Sequence, residues 1–153
     1  MEQTPNLHYA LKDITTVKRG IIAHGVNCRG VMGAGVAGAI ARTWPRVKRE
    51  YLKGPWPLGE IQVVEVTPNT LYVANCFTQV DYGRDRTKRY ANPRAIHQAL
   101  DRVFGLADAR HLPLVMPRIG TGLGGLDWTL DVKPLIISLC LAYPSVDTTV
   151  CSL

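Results

Sequence analysis

Two glycine-rich loops, each preceded by a short apolar segment, most constrain what this chain folds into. The first lies within Ile21 to Ala41, IIAHGVNCRGVMGAGVAGAIA, and the second within Met116 to Trp128, MPRIGTGLGGLDW. A buried strand, a glycine loop and a helix start make, in that order, an anion cradle, because the free amides of the helix start point at the anion. Two such loops predict a ligand with two phosphates.

The rest of the chain alternates apolar runs with helix-like stretches, which is typical of an α/β layered domain. Strands are predicted at Leu7–Leu11, Gly20–Val26, Glu60–Val66, Leu71–Phe77, Leu112–Met116 and Thr148–Ser152, with a hairpin turn at Thr67–Thr70. Helices are predicted at Val36–Arg42, Pro45–Tyr51, from Pro93 onward and at Val132–Ala142. We expect Asn92 to cap the third helix and Asp131 the fourth.

Composition bounds the kind of protein. A chain of 153 residues with 46% hydrophobic residues predicts one globular domain, residues 1–153, and its size suits a monomer. It has no run of about 18 apolar residues and no N-terminal signal pattern, so we expect a cytoplasmic protein without a membrane partner. Four scattered cysteines (Cys28, Cys76, Cys140, Cys151) predict reduced, mainly buried thiols. We expect neither a metal nor a cofactor.

The formal net charge of +6 favours an anionic partner. Charge does not distinguish a nucleotide from a nucleic acid, so nucleic-acid binding stays open beside a small-molecule substrate.

Three segments, in order along nearly the whole chain, resemble the macrodomain family, the α/β/α module that binds ADP-ribose. They are YALKDIT (Tyr9–Thr15), HGVNCRGVMGAGVA (His24–Ala37) and MPRIGTGLGGLDW. The resemblance implies a three-layer α/β/α fold with a central mixed sheet. It also implies a ligand-binding set, comprising Asp13 and Ile14 near the adenine, Gly33, Ala34, Gly35 and Val36 on one phosphate, and Gly120, Thr121, Gly122, Leu123, Gly124 and Gly125 on the other.

Within the family, the chain looks most like the branch with the yeast ADP-ribose 1''-phosphate phosphatase and the ADP-ribosyl-glutamate and DNA ADP-ribosyl hydrolases. His24, Asn27 and Cys28 stand where the phosphatase has a histidine before NC. The hydrolases depend on a lysine where this chain has Gln79, and glutamine can neither form a Schiff base nor act as a cationic acid. The resemblance therefore favours an ADP-ribose 1''-phosphate phosphatase, a phosphoric monoester hydrolase.

For this reaction we expect His24 and Asn27 to be the catalytic residues, His24 as an acid or water-orienting group and Asn27 holding the distal ribose or terminal phosphate. Gln79, Arg84 and Asp127 are further candidates. We expect a cation for the extra phosphate to come from Arg84, Arg86, Lys88 or Arg89. A hydrolase that removes ADP-ribose from protein or nucleic acid, or a module that binds ADP-ribose without turnover, are the alternatives.

Several candidates have structural interpretations too. His24 also fits a hydrogen-bonded core histidine, and Asp13 and Asp127 also fit turn or helix caps. The basic segment from Arg84 to Arg89 also fits a solvated loop.

Overall fold

The fold is a three-layer α/β/α sandwich around a mixed sheet of six strands. The computed structural model describes residues 4–153. The strands are β1 (Leu7–Leu11), β2 (Gly20–Asn27), β3 (Ile61–Thr67), β4 (Leu71–Gln79), β5 (Leu114–Pro117) and β6 (Thr148–Ser152). Their order in the sheet is β1-β6-β5-β2-β4-β3, with β3 antiparallel to β4 and all other pairs parallel. This confirms the fold class predicted from the sequence.

Four helices cover the two faces of the sheet. They are α1 (Gly35–Thr43), α2 (Pro45–Tyr51), α3 (Pro93–Arg110) and α4 (Lys133–Ala142). On β2, Ile21 and Ala23 pack into the core under α3 and α4, whereas Ile22 and Val26 pack into the core under α1 and α2. Strand β2 is therefore buried on both faces, as expected for a central parallel strand.

The clearest agreement with the sequence prediction is α3. Asn92 accepts hydrogen bonds from the amides of Arg94 and Ala95, and Pro93 occupies the first helical position. The hairpin turn between β3 and β4 is also confirmed. There Thr70 N donates to Thr67 O at 3.1 Å, and Asn69 has a positive φ of 55°.

Two local predictions were wrong. Asp131 does not cap α4; it lies within a π-helical turn, Trp128–Val132, that Asp127 caps by accepting from Leu130 N at 2.8 Å. Strand β5 begins at Leu114 rather than Leu112, because the preceding helix closes with His111 in the left-handed region and Pro113 has no N–H for a sheet bond.

The described part of the chain contains no helix long and apolar enough to cross a membrane. All four cysteines are free; Cys76, Cys140 and Cys151 are buried and Cys28 is half-buried. The expectation that the N-terminus lacks a signal pattern concerns residues 1–3 in part, and these lie outside the described range.

Because β1, β6, β5, β2 and β4 run parallel, their carboxyl ends meet at one edge of the sheet. The segments that follow β1, β2, β4 and β5 leave from this edge, among them both glycine loops. Ligands of open α/β sheets bind at this edge, where the strand order reverses. The candidate site is therefore built here.

Candidate functional site

The first glycine loop starts from Asn27, the last residue of β2, whose side chain is tied inside the loop. Asn27 Oδ1 accepts from Arg29 N at 2.9 Å and Val31 N at 3.3 Å, and Asn27 Nδ2 donates to Val31 O at 2.8 Å. The Tyr51 hydroxyl lies 2.7 Å from Asn27 O and 2.8 Å from Asn27 Oδ1. Asn27 therefore shapes the turn that leads into the glycines.

Helix α1 begins at the end of this loop without a side-chain cap. Its N-cap residue is Ala34, so no side chain accepts from the first amides of the helix. These amides carry the positive end of the helix dipole and remain free to bind an anion. Residues 33–36 are all exposed.

Gly33 and Gly35, beside these amides, have open space at their Cβ positions. A Cβ added at either position would meet no atom within 4 Å. Gly35 has a φ of 58°, which itself favours glycine, but the φ of Gly33 is not in the left-handed region. Neither a positive φ nor internal packing requires a glycine at position 33.

The second loop, residues 120–125, packs against the segment that follows β4. Gly125 has a φ of 82°, and a Cβ there would lie 2.5 Å from Lys88 O. Ala91 N donates to Gly124 O at 3.0 Å. The outer side of the loop is open, because a Cβ at Gly122 would meet nothing within 4 Å and Leu123 is 48% exposed. Glycines at 124 and 125 thus allow close packing, and Gly122 faces free space.

Thr121 does not offer a free hydroxyl proton. Its Oγ1 donates to Arg118 O at 2.6 Å, which tightens the start of the second loop. Thr121 therefore has a structural bond at the position where the sequence predicted a ligand contact.

Gln79, the last residue of β4, lies between the two loops. It is the sheet partner of Asn27, across an irregularity in the register of β2. Its Oε1 would lie 3.7 Å from a Cβ added at Gly124, and its Nε2 donates to Asp81 O at 2.7 Å. The structure thus brings Asn27, Gln79 and the second loop together at one end of the site.

Asp13 lies at the other end, directly after β1. Its Oδ1 accepts from Thr15 N at 2.9 Å and Thr15 Oγ1 at 2.7 Å, and these bonds hold the pKa of the Asp13 carboxyl below its usual value. The short 3-10 turn that follows, Ile14–Thr16, packs against α1 and β5, and the Ile14 side chain is buried in the core. Asp13 is thus a turn cap whose carboxylate stays exposed.

His24 is buried in the core under α1 and α2, with 1% of its surface exposed. Gln62 Nε2 donates to Glu50 O at 2.7 Å, so Gln62 Oε1 accepts from Asn75 Nδ2 at 3.0 Å. Asn75 Oδ1 then accepts from His24 Nε2 at 2.6 Å, which assigns the ring proton to Nε2.

His24 Nδ1 is consequently unprotonated, buried and without a partner in the described structure. Burial lowers the pKa of His24 from 6.5 to about 4, although the bond to Asn75 opposes this. A neutral core histidine does not support the predicted role of His24 as an acid or water-orienting group. The interpretation as a hydrogen-bonded core residue fits the structure instead.

Two cations of the site region are in ion pairs. Arg29 Nε lies 2.8 Å from Asp81 Oδ1, which links the first loop to the segment after β4, and Arg89 Nη2 lies 2.8 Å from Asp131 Oδ2. Arg84 is exposed and, within residues 4–153, has no ion-pair partner within 4 Å. Arg86 and Lys88 are likewise exposed and outside these ion pairs, so Arg84 is one of three predicted cations available to an added phosphate.

Two open cavities lie beside the glycine loops rather than between them. The larger, about 480 Å³, is lined by Leu58, Val80, Asp81, Tyr82, Lys88, Arg89, Tyr90 and Asn92. The other, about 430 Å³, is lined by residues 89–94. Both are lined mainly by the segment that follows Gln79, and none of the residues of the two glycine loops lines either cavity.

Sequence reasoning missed Tyr51, whose hydroxyl contacts Asn27 and accepts from Gly30 N at 3.1 Å. The only signal was its position at the end of the predicted helix Pro45–Tyr51.

Within residues 4–153, no three His, Cys, Asp or Glu side chains are grouped as a metal site would require.

The fold is an α/β/α domain with two glycine loops at the carboxyl edge of its parallel strands. Residues 23–133 match the model of the macro domain family, and the chain belongs to that family. A relative from Mycobacterium tuberculosis, named DNA ADP-ribosyl glycohydrolase, is 26% identical over 93% of this chain; the match spans only 41% of that protein's length.

Two solved structures extend the comparison. A Bacteroides thetaiotaomicron protein of unknown function is 29% identical, with a TM-score of 0.85 over 96% of this chain and 98% of the other. Thermosipho africanus DarTG, solved in complex with ADP-ribose, has a TM-score of 0.79 at 19% identity, over 99% of this chain and 42% of the other; this likeness concerns the fold.

Proposed function

We propose that this chain binds an ADP-ribose derivative along the carboxyl edge of its sheet, with the diphosphate between the two glycine loops. The observation that carries this proposal is Gly33, a glycine that nothing inside the protein requires, beside the uncapped amides of α1. The Thermosipho relative's complex with ADP-ribose supports the same ligand class.

The order of residues along the edge gives the ligand a direction. Asp13 follows β1, the second loop follows β5, the first loop follows β2, and Gln79 ends β4. Strand spacings of about 4.8 Å separate β1 from β4 by roughly 19 Å, a distance that an extended dinucleotide-like ligand spans. The adenine lies at Asp13, whose Oδ2 accepts the amino group, and the distal ribose lies at Asn27 and Gln79.

For turnover, we propose hydrolysis of the terminal phosphate of ADP-ribose 1''-phosphate. Gln79 supports this choice, because it stands where the resembling glycosidic hydrolases carry a lysine. Since His24 is buried and neutral, the reaction rests on positioning and on donors aimed at the spreading negative charge. Asn27 Nδ2 has one proton beyond its bond to Val31 O, and Arg84 supplies a cation.

Phosphorus NMR of ADP-ribose 1''-phosphate mixed with the protein tests this reaction. Inorganic phosphate is expected to appear. Arg84→Gln is expected to slow its release about tenfold, the effect of losing one charge-assisted contact of about 1.4 kcal/mol. Arg46→Gln, which removes an equally exposed arginine from the first turn of α2, is the matched control and keeps the wild-type rate. Binding of the substrate without release of phosphate would contradict the phosphatase activity and indicate a module that binds ADP-ribose derivatives without turnover.

A second reaction, removal of ADP-ribose from a nucleic acid, is favoured by the segment after Gln79. Its exposed cations Arg84, Arg86 and Lys88 accompany Tyr82, which is 53% exposed at the larger cavity. Cations interleaved with exposed aromatic rings suit phosphates and stacked bases. The activity in the name of the Mycobacterium relative is of this kind.

The two reactions give different products. If the protein releases ADP-ribose from an ADP-ribosylated oligonucleotide but no phosphate from ADP-ribose 1''-phosphate, it is a glycosidic hydrolase and not a phosphatase. The opposite result would exclude removal from nucleic acid.

A further inference from the structure

The second helix contributes a buried phenol to the first glycine loop. Tyr51, at the end of α2, is 3% exposed and stacks on Phe77 with ring centroids 6.0 Å apart. Its hydroxyl lies within hydrogen-bond distance of Asn27 O and Asn27 Oδ1 and accepts from Gly30 N. The hydroxyl thus contacts both ends of the turn from Asn27 to Gly30.

The contacts around Asn27 determine the orientation of its side-chain amide, that is, which of Oδ1 and Nδ2 lies inside the loop. Two backbone donors, Arg29 N and Val31 N, converge on Asn27 Oδ1, and the single hydroxyl proton of Tyr51 lies within reach of both Asn27 Oδ1 and Asn27 O. An Nδ2 group in that place would set its protons against the N–H groups of Arg29 and Val31. The oxygen therefore stays inside the loop, and Nδ2 donates one proton to Val31 O and keeps the other.

We propose that Tyr51 is a positioning residue for ligand binding: its hydroxyl fixes the Asn27 amide so that the second Nδ2 proton faces the distal ribose. This inference rests on the proposed function, since it assigns that ribose to Asn27. Burial raises the pKa of Tyr51 above its usual value, so the phenol stays protonated at neutral pH and keeps the proton it donates.

Tyr51→Phe tests the proposal, because it keeps the ring on Phe77 and removes only the hydroxyl. The matched control is Tyr143→Phe, which removes a hydroxyl that donates to Asp101 at 2.8 Å between α4 and α3. Calorimetric titration with ADP-ribose is expected to show binding weakened about 5- to 100-fold for Tyr51→Phe and unchanged for Tyr143→Phe. With a substrate that turns over, KM should rise by this factor while kcat changes less.

A second readout needs no ligand. In the wild type, the Asn27 Nδ2 proton that bonds Val31 O and the Gly30 backbone amide are expected to exchange slowly with solvent. Tyr51→Phe should speed the exchange of these protons, with little change in α3. If the variant does not fold, slow exchange of the Asn27 side chain in the wild type supports the proposal and fast exchange contradicts it.

The outcomes separate the two levels of inference. A wild type that binds no ADP-ribose contradicts the proposed function, and the exchange measurement then still decides whether Tyr51 holds Asn27. Normal ADP-ribose affinity in Tyr51→Phe, or unchanged Asn27 exchange, overturns the positioning role.

Discussion

At the scale of single residues, His24 and Gly33 show how environment decides a role. His24 lies on a strand buried on both faces, and its Nε2 bonds to Asn75 in the core. Strand alternation cannot reveal which way a side chain points when both faces are apolar. The family resemblance therefore led to the prediction that His24 is catalytic, with a core histidine as the alternative. Gly33, by contrast, was predicted from its loop pattern, and the structure leaves its Cβ direction empty.

The buried state of His24 predicts a pH-dependent stability. The unfolded chain protonates this ring near pH 6.5, whereas the folded state does so near pH 4. The free energy of unfolding should therefore keep the whole contribution of neutral His24 above pH 6.5. It should fall by up to about 3 kcal/mol as the pH is lowered to 4. Urea titrations between pH 7 and pH 4 measure this loss.

Two variants isolate the contribution of His24. His24→Gln should flatten the pH dependence over this window, and His97→Gln, on the exposed face of α3, should leave it as in the wild type. Equal pH dependence in all three proteins would mean that His24 is accessible to protons in the fold.

Gly33→Ala should separate binding from stability. A methyl group at this position meets no protein atom, so the free energy of unfolding should change by less than about 0.5 kcal/mol. The same methyl enters the space in front of the α1 amides, and ADP-ribose should bind at least about tenfold more weakly. Denaturant titration and calorimetry on the same variant measure both quantities.

Gly38→Ala is the contrasting variant, because its Cβ would lie 2.8 Å from Gly33 O. It should lose about 1–3 kcal/mol of stability through overpacking. If Gly33→Ala destabilises as much as Gly38→Ala, Gly33 has a packing role. If Gly33→Ala binds ADP-ribose normally, the ligand does not approach the backbone at this position.

At the scale of elements, α3 and α4 differ in how far the sequence determines them. Helix α3 was predictable because Asn92, Pro93 and an apolar stripe agree. Helix α4 was predicted with Asp131 as its cap, but Asp131 instead accepts from Asp127 N and pairs with Arg89. Two aspartates four residues apart both suit a cap, and only the packing of the π-helical turn decides between them.

The cap of α3 has a measurable value. Asn92 accepts from two helix amides, and its own N donates to Thr78 O at 2.8 Å, which fixes the end of the segment after β4. Asn92→Ala should lower the free energy of unfolding by about 1–2 kcal/mol in denaturant titration, while Asn92→Asp retains most of it. An Asn92→Ala variant as stable as the wild type would contradict this, because it would mean that water bonds the freed helix amides with no loss in the free energy of unfolding.

At the scale of the whole molecule, the parallel strands place four separate sequence segments on one edge. Distances between these segments do not follow from the sequence, yet the order of the motifs along the chain allowed the layered fold and the two loops to be predicted. The contact of Tyr51 with Asn27 was not predictable, because it joins the end of one helix to a loop 24 residues earlier. The cavities along residues 80–94 likewise depend on how that segment folds back on the sheet.

The central claim is that the two glycine loops bind the diphosphate of ADP-ribose. Proton–nitrogen NMR spectra of the labelled protein, recorded while ADP-ribose is added, test it most directly. The account predicts saturable shifts of the amides of Gly33–Val36 and Gly120–Gly125, with further shifts at Asp13 and at the Asn27 side chain. Spectra in which these loops do not respond, or in which saturable shifts occur only elsewhere, would contradict it.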